Sequence, residues 1–286
     1  LATVLVIDNG SYDGVLEQVR QRWPQTHTLQ TGTNLGFAGG MNVGLRWAMA
    51  RGAATITVLN NDTVLPPGAI DGLSGIAADG YLVSPEVRYL DDPDTVWFGG
   101  GVIDEATGLA RHLGHDEIAS RPGDESDGLR FTEVLSGCCL TASGATWRRL
   151  GGFDESFFLN CEDSELSLRA RGLGIPLVVA TSVRIHHRVS ASFFGEYSYL
   201  GLFYYARNGL RFGSLLPGRT VIRRWRFLRH RIAPVVTAEV RHRRWRTAAR
   251  KGLVAATALV MHLRRRDGRA PAALEQLARR WAGTSS

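Results

Sequence analysis

The first residues in this chain that could do chemistry are carboxylates in unusual company. Asp62 follows Asn60 and Asn61 directly behind the apolar run Thr55 to Leu59. A carboxylate there can hold a hard divalent cation, which takes oxygen ligands and bridges to phosphate oxygens. Asn-Asn-Asp-Thr can equally make a turn and cap the next helix. Glu162 and Asp163 are adjacent acids behind Phe157-Phe158-Leu159. Apolar surroundings tune a carboxylate for proton abstraction, although acids in a first helical turn are also favoured by the dipole. His186-His187 could bring an imidazole to a metal or a phosphate. Successive strand residues face opposite ways, so at most one of the two points into a site.

Two glycine-bearing segments add polar groups. Asp8-Asn9-Gly10-Ser11-Tyr12-Asp13-Gly14 offers two carboxylates and a hydroxyl. They suit a base or ribose, or else a turn in which Ser11 or Asp13 caps a helix. Asn34-Leu35-Gly36-Phe37-Ala38-Gly39-Gly40-Met41-Asn42 permits either close backbone approach to an anion at a helix N-terminus or close helix-to-sheet packing. The cysteines, Cys138, Cys139 and Cys161, are odd in number and two are adjacent. This disfavours a disulfide framework and fits free thiols in a reducing compartment. Cys138-Cys139 also lacks the gap that lets two thiolates reach one zinc ion.

Positioning these groups falls to short apolar runs that alternate with helical patterns, which predicts an α/β fold with a parallel sheet wrapped by helices on both faces. Strands are expected at Val4 to Ile7, Thr26 to Gln30, Thr55 to Leu59, Tyr81 to Val87 and Pro176 to Ala180. Helices are expected at Gly14 to Arg22, up to Arg51 from the glycine-rich segment, Pro66 to Asp79, Ser143 to Leu150, just after Glu162-Asp163, and Gly195 to Arg211. Asp62 thus stands at the C-terminal end of a strand, where ligands of open α/β sheets gather. Asp116 to Gly128 reads as an exposed loop, either a lid over the site or an idle surface segment.

With 286 residues, core size is not limiting. Charge is divided along the chain. From Arg219 onward 18 basic residues face three acids, whereas the preceding 218 residues carry 16 basic and 24 acidic ones. The start, Leu1 to Ile7, has no basic region of a signal peptide. Gly252 to Leu263, the longest apolar stretch, is too short to cross a bilayer. Residues 1–212 are expected to form one domain, and 213–286 a basic, amphipathic helical tail.

The order of the motifs resembles the family 2 glycosyltransferases of GT-A fold, especially the bacterial rhamnosyltransferase-like group, over roughly residues 4–212. The Val6-to-Gly14 segment is similar to that family's nucleotide-binding strand end, which implies donor contacts from Asp8, Asn9, Ser11 and Asp13. Asn34, Gly36, Phe37, Gly39, Gly40 and Asn42 fall in what resembles its glycine-rich donor segment. Asn60-Asn61-Asp62 stands where the family has Asp-x-Asp, which implies Asp62 as metal ligand and Asn60 and Asn61 as weaker donor-site contributors. Gly151-Gly152-Phe153-Asp154-Glu155 through Glu162-Asp163 resembles the acceptor-site segment, with Asp163 the general base and Glu162 its neighbour. His187-Arg188-Val189-Ser190-Ala191-Ser192 resembles a motif whose histidine reaches the metal or diphosphate. Tyr204-Tyr205-Ala206-Arg207-Asn208 also fits, with Arg207 toward the donor. The family begins with an earlier strand and helix, and this chain starts at what resembles the second strand, so a central sheet edge is expected to be exposed.

The resemblance implies inverting transfer of a sugar from a nucleoside diphosphate donor to a glycan or lipid-linked acceptor, assisted by Mg²⁺ or Mn²⁺. dTDP-rhamnose is the favoured donor, UDP-sugars come second, and cell-wall or polysaccharide biosynthesis is the setting. The arginine- and tryptophan-bearing tail fits an anionic membrane surface, which implies a cytoplasmic protein peripheral to the inner face of the membrane. The alternatives are a catalytically impaired nucleotide-sugar-binding protein and, third, a nucleic-acid-binding module. The acidic body gives the last no support, and no nucleic acid partner is expected.

Overall fold

The computed structural model describes residues 2–114, 125–126, 128–188 and 198–282. Two compact units share them: residues 1–102 with 112–188, and residues 103–111 with 189–286.

The first unit opens with β1 (Leu5–Asp8), α1 (Val15–Arg22) and β2 (His27–Gln30). β1 and β2 pair in parallel, from Leu5 opposite His27 to Asp8 opposite Gln30. Next come α2 (Gly36–Ala50), β3 (Thr55–Leu59), β4 (Thr63–Val64), α3 (Ala69–Ala78), β5 (Leu82–Tyr89) and β6 (Val96–Phe98). The hairpin β7 (Gly101–Asp104) and β8 (Leu109–His112) follows. β9 (Glu125–Ser126), β10 (Leu129–Phe131), β11 (Cys139–Ser143), α4 (Gly144–Leu150), α5 (Glu162–Gly172) and β12 (Leu177–His187) complete the unit.

The main sheet runs β3-β11-β5-β12-β10-β9, with β4 added to β12 and β6 to β5. Within it only β5 and β12 pair in parallel; β3 with β11 and β10 with β12 are antiparallel. The expected parallel sheet is therefore mixed, because β10 and β11 enter it antiparallel to their neighbours. The strand expected to end at Ala180 runs on to His187 past a bulge between Ala180 and Arg184. Among the described residues no ladder joins β1 to β3, so β1-β2 stands as a separate two-stranded sheet. Edge residues Val4 and Leu59 are correspondingly half-exposed.

Apolar alternation decides which strand faces form the core. Leu82, Val83 and Val87 of β5 and Leu177, Val178 and Val179 of β12 are buried with Leu45 of α2, Leu73 of α3 and Leu166 of α5. Trp147 of α4 is wholly buried, and its indole N–H donates to the Ile56 carbonyl at 3.0 Å. Losing such a side chain costs about 3–5 kcal/mol. α4 begins at Ser143, whose hydroxyl accepts from the Thr146 N–H, and ends at the left-handed Gly151.

The second unit is helical after the β7-β8 turn: α6 (Tyr199–Leu215), α7 (Thr220–Phe227), a π turn (Leu228–Ile232), α8 (Ala233–Arg241), α9 (Trp245–Leu263) and α10 (Ala272–Ala282). The division falls at 188/189 and not at 212/213. α6 packs along α9, and the Tyr204 hydroxyl accepts from the Ala270 N–H, so this helix belongs with the basic region that follows it. Among the described residues no helix is long and apolar enough to cross a membrane.

Candidate active site

β4 and β12 bring the first two groups together. Their pairing sets His187 opposite Thr63, so Asp62, one residue earlier, meets the imidazole: His187 Nε2 lies 2.9 Å from Asp62 Oδ1. The Asp62 carbonyl also accepts from the Arg188 N–H at 2.9 Å, fixing the strand end. His187 is buried and His186 only partly so, as strand alternation requires. The buried Nδ1 of His187 meets no partner, and the ring is oriented instead by Trp97, whose centroid lies 4.9 Å away.

Trp97 extends the cluster. Its ring also packs on Phe98, with centroids 6.4 Å apart, and on His112 at 4.9 Å, which packs in turn on Phe98. Burial holds the His112 imidazole below its ordinary pKa, opposed by the nearby negative charge of Asp163. Asp163 accepts from the Gly137 N–H at 3.1 Å through Oδ2 and from the Ser164 N–H at 2.7 Å through Oδ1. Cys138 closes the ring: its carbonyl accepts from the Asn60 N–H, and Asp62 helps burial push its thiol up. Asp62, His187, Trp97 and His112 thus form one chain of neighbours, and Asp163 is joined to Asp62 through the backbone of Gly137, Cys138 and Asn60. Sequence reasoning missed Trp97 and His112, because a lone aromatic and a lone histidine on short strands carry no spacing signal.

Glu162 and Asp163 open α5 themselves instead of preceding it. Phe158, Asn160 and Cys161, just before them, all have positive φ between 60° and 68°. Such conformations are costly for non-glycine residues and gather where a local constraint is needed; here they aim the first turn of α5. Glu162 is buried, its Oε2 finds no partner, and burial with the adjacent Asp163 charge pushes its pKa up to about 8.

The segment after β1 is more self-contained. Asp8 accepts from the Ser11 hydroxyl at 2.5 Å and N–H at 2.7 Å and from the Gln30 amide at 3.0 Å, which together hold its carboxyl below the usual range. Asn9 donates to the Gly36 carbonyl at 2.8 Å and accepts from the Leu35 N–H at 3.0 Å, tying β1 to the start of α2. Asp13 accepts from the Val15 N–H, the helix-start role that sequence left open for it. Asn34 accepts from the Gly36 N–H, and Phe37 stacks edge-on to Phe153.

Four of the residues expected at the donor have intramolecular packing or hydrogen-bonding roles. Gly39 and Gly40 are buried, and the space a Cβ would need is filled by Leu35 and by the Asn9 amide, so close helix packing is what these glycines provide. Asn42 accepts from the Phe153 N–H and donates to the Phe153 carbonyl and to Glu155, which uses up its amide. Arg207 lies in the second unit, wholly buried and donating to the Gly268 carbonyl and the Asn208 side chain. Asn60 and Asn61 stay at the turn, with the Asn60 carbonyl accepting from the Thr63 hydroxyl. Most of Asp116 to Gly128, and Val189 to Ser192 of the histidine motif, lie outside the described residues. Among the described residues no three His, Cys, Asp or Glu side chains cluster closely enough to hold a metal by themselves. All three cysteines are free thiols.

The mixed sheet with its flanking helices, and Asp62 just beyond the end of β3, has the GT-A type of fold. Residues 2–118 match the model of the family described as Glycosyl transferase family 2. Over those residues the chain is similar to that family, and its enzyme class is that of a glycosyltransferase. It is 29% identical to the N-acetylglucosaminyl-diphospho-decaprenol L-rhamnosyltransferase of Mycobacterium tuberculosis, over 66% of this chain and 68% of the relative. It is 27% identical to a low-salt glycan biosynthesis hexosyltransferase of Haloferax volcanii, over 60% of this chain and 54% of that one. In fold it is similar to the crystal structure of GalNAc-T7 with UDP, GalNAc and Mn²⁺, at TM-score 0.51 and 14% identity; the match covers 82% of this chain and about half (51%) of the other.

Proposed function

We propose that the chain transfers a sugar, rhamnose in the first instance, from a nucleoside diphosphate donor to a glycan or lipid-linked acceptor by single inverting displacement. The observation that carries this reading is that Asp163 and the Asp62–His187 pair are joined through the backbone of Gly137, Cys138 and Asn60. Asp163 takes the acceptor proton as the acceptor oxygen bonds to the anomeric carbon, while the bond to the donor phosphate breaks and its electrons leave with the diphosphate. Backbone N–H groups of Gly137 and Ser164 hold both Asp163 oxygens in a fixed direction for that transfer. Glu162, its pKa pushed up to about 8, stays protonated and leaves the role of base to Asp163.

Asp62 and His187, an oxygen and a nitrogen donor facing each other at 2.9 Å, would hold a divalent cation, Mg²⁺ or Mn²⁺. Such an ion would neutralise charge on the departing diphosphate. The mycobacterial relative's lipid-linked substrate and the UDP and Mn²⁺ of the GalNAc-T7 structure support this choice of partners.

A membrane surface is the place where a lipid-linked acceptor is met. Val221, Trp225, Trp245, Leu253 and Leu263 are exposed apolar residues among the arginines of the second unit, a pattern suited to an anionic interface at the cytoplasmic face. A second reading, donor binding without turnover, draws on the open ladder between β1 and β3.

Release of nucleoside diphosphate from dTDP-rhamnose and from UDP-sugars, measured with and without Mn²⁺, separates these readings. Asp62→Ala is expected to weaken metal-dependent donor binding by about tenfold or more. Donor binding by the unmutated chain that ignores the metal would sink the assignment of Asp62.

A further inference from the structure

The second unit contains a cationic cavity that the transfer reaction leaves without a role. Its walls come from the end of α6 (Arg211, Ser214, Leu215), from α7 and its start (Thr220, Arg224), and from the end of α9 with the turn beyond it (His262, Leu263, Arg265, Asp267), enclosing about 580 Å³. That volume is within the roughly 300–1,000 Å³ of ligand clefts. Three guanidiniums face a single carboxylate, Asp267, which is already ion-paired with Arg211.

Two buried donor atoms in this lining have no partner. Arg224 donates through Nη2 to the Ser214 hydroxyl at 3.2 Å, yet its buried Nε meets no acceptor, and neither does the buried Nε2 of His262. Folded proteins rarely leave such atoms unpaired, because each costs its full desolvation. Two in one cavity, contributed by different helices, call for an acceptor that reaches both. The local field has the matching sign. Burial first, then Arg224 and Arg211, hold the His262 imidazole neutral with its pKa pulled down to about 4, against the opposing pull of Asp267. Arg265 adds its charge from a left-handed backbone position, φ 53°, that usually goes to glycine. At the rim, Leu215 and Leu263 are 48% and 61% exposed, so an apolar lip adjoins the cationic floor.

We propose that this cavity binds a phosphate or diphosphate group, with Arg224, Arg265 and His262 as its donors. Such a group carries acceptor oxygens only, and several of them, which suits guanidinium forks on separate helices. The proposal is independent of the Asp62–His187–Asp163 cluster and survives if that assignment fails.

Calorimetry on the full chain with inorganic pyrophosphate, beside co-sedimentation with phosphatidylcholine vesicles with and without phosphatidic acid, tests it and identifies the source. Saturable pyrophosphate binding, weakened about tenfold or more by Arg224→Gln and by the exposed Arg265→Gln, supports a soluble phosphate compound. The same dependence seen only with phosphatidic acid vesicles supports a lipid headgroup. In either case the His262 titration should move upward by about one unit on binding, since an anion favours the imidazolium. If Arg224→Gln misfolds, Arg265→Gln and the His262 titration carry the test. The proposal is overturned if neither probe binds. It is also overturned if Arg279→Gln, outside the cavity, weakens binding as much as Arg265→Gln, or if duplex DNA competes equally in both variants, for then only diffuse charge is at work.

Discussion

Asp8 and Glu162 are nearly equally hidden from solvent, 7% and 8% exposed, and their acidities move in opposite directions. Asp8 is covered by a thin local shell at the end of β1, and that shell consists of donors: the Ser11 hydroxyl and N–H and the Gln30 amide. Glu162 is surrounded by protein on all sides, with Asp163 beside it and Oε2 without a partner. Contact with solvent alone therefore does not decide the state of a carboxylate here. The depth of the surroundings and the supply of donors do. The β1 end is complete in itself, whereas the start of α5 is left strained and unsatisfied, the condition expected of a site that is completed by substrate.

The sharpest way to break this comparison is to remove Asp163, the hydrogen-bonded acid beside Glu162. Asp163→Asn should lower transfer turnover by about 10²–10⁴-fold while donor affinity, measured by calorimetry, stays unchanged. Near-normal turnover would return Asp163 to the role of a helix cap.

Next in size is the effect of Glu162 on stability. Its folded pKa lies above the ordinary 4.5, so its contribution is complete below that value and is lost as pH rises toward about 8. Glu162→Gln should therefore gain on the unmutated chain across this window, by an amount on the order of a few kcal/mol, in urea unfolding at pH 5 and pH 8. Parallel pH profiles for the two proteins would show that Glu162 is satisfied after all.

Asp8 predicts the reverse sign and a smaller change. Its folded pKa lies below 3.8, so its stabilisation is present above that value and fades as pH falls through the folded one. The advantage of the unmutated chain over Asp8→Asn should be visible at neutral pH and vanish in acid melts. A gap that persists in acid would mean that Asp8 acts through packing and not charge.

Much of the local structure was legible from residue patterns. Val15–Arg22, Gly36–Ala50, Thr55–Leu59 and Gly144–Leu150 lie within a residue or two of the sequence reading, because apolar periodicity and caps such as Ser143 and Gly151 act over short range. The site was legible in part. Ordered motifs pointed to Asp62, Asp163 and His187, and alternation on a strand selected one histidine of two. Asn42, Gly39, Gly40 and Arg207 were read as donor contacts because amides, glycines and guanidiniums serve ligands and packing alike. Only their partners, Phe153, Leu35, Asn9 and Gly268, distinguish the two uses.

Residue order by itself determined which segments would be strands, where the chain's charge would lie and which acids were candidates for chemistry, since these follow from side-chain type and near neighbours. Tertiary structure alone decided that β12 continues past its bulge to set His187 against Asp62, that Trp97 packs on both His187 and His112, and that α6 joins the helical unit. The reason is physical: pairing register and the donors available to a buried group are set by segments more than a hundred residues apart, which no local pattern encodes.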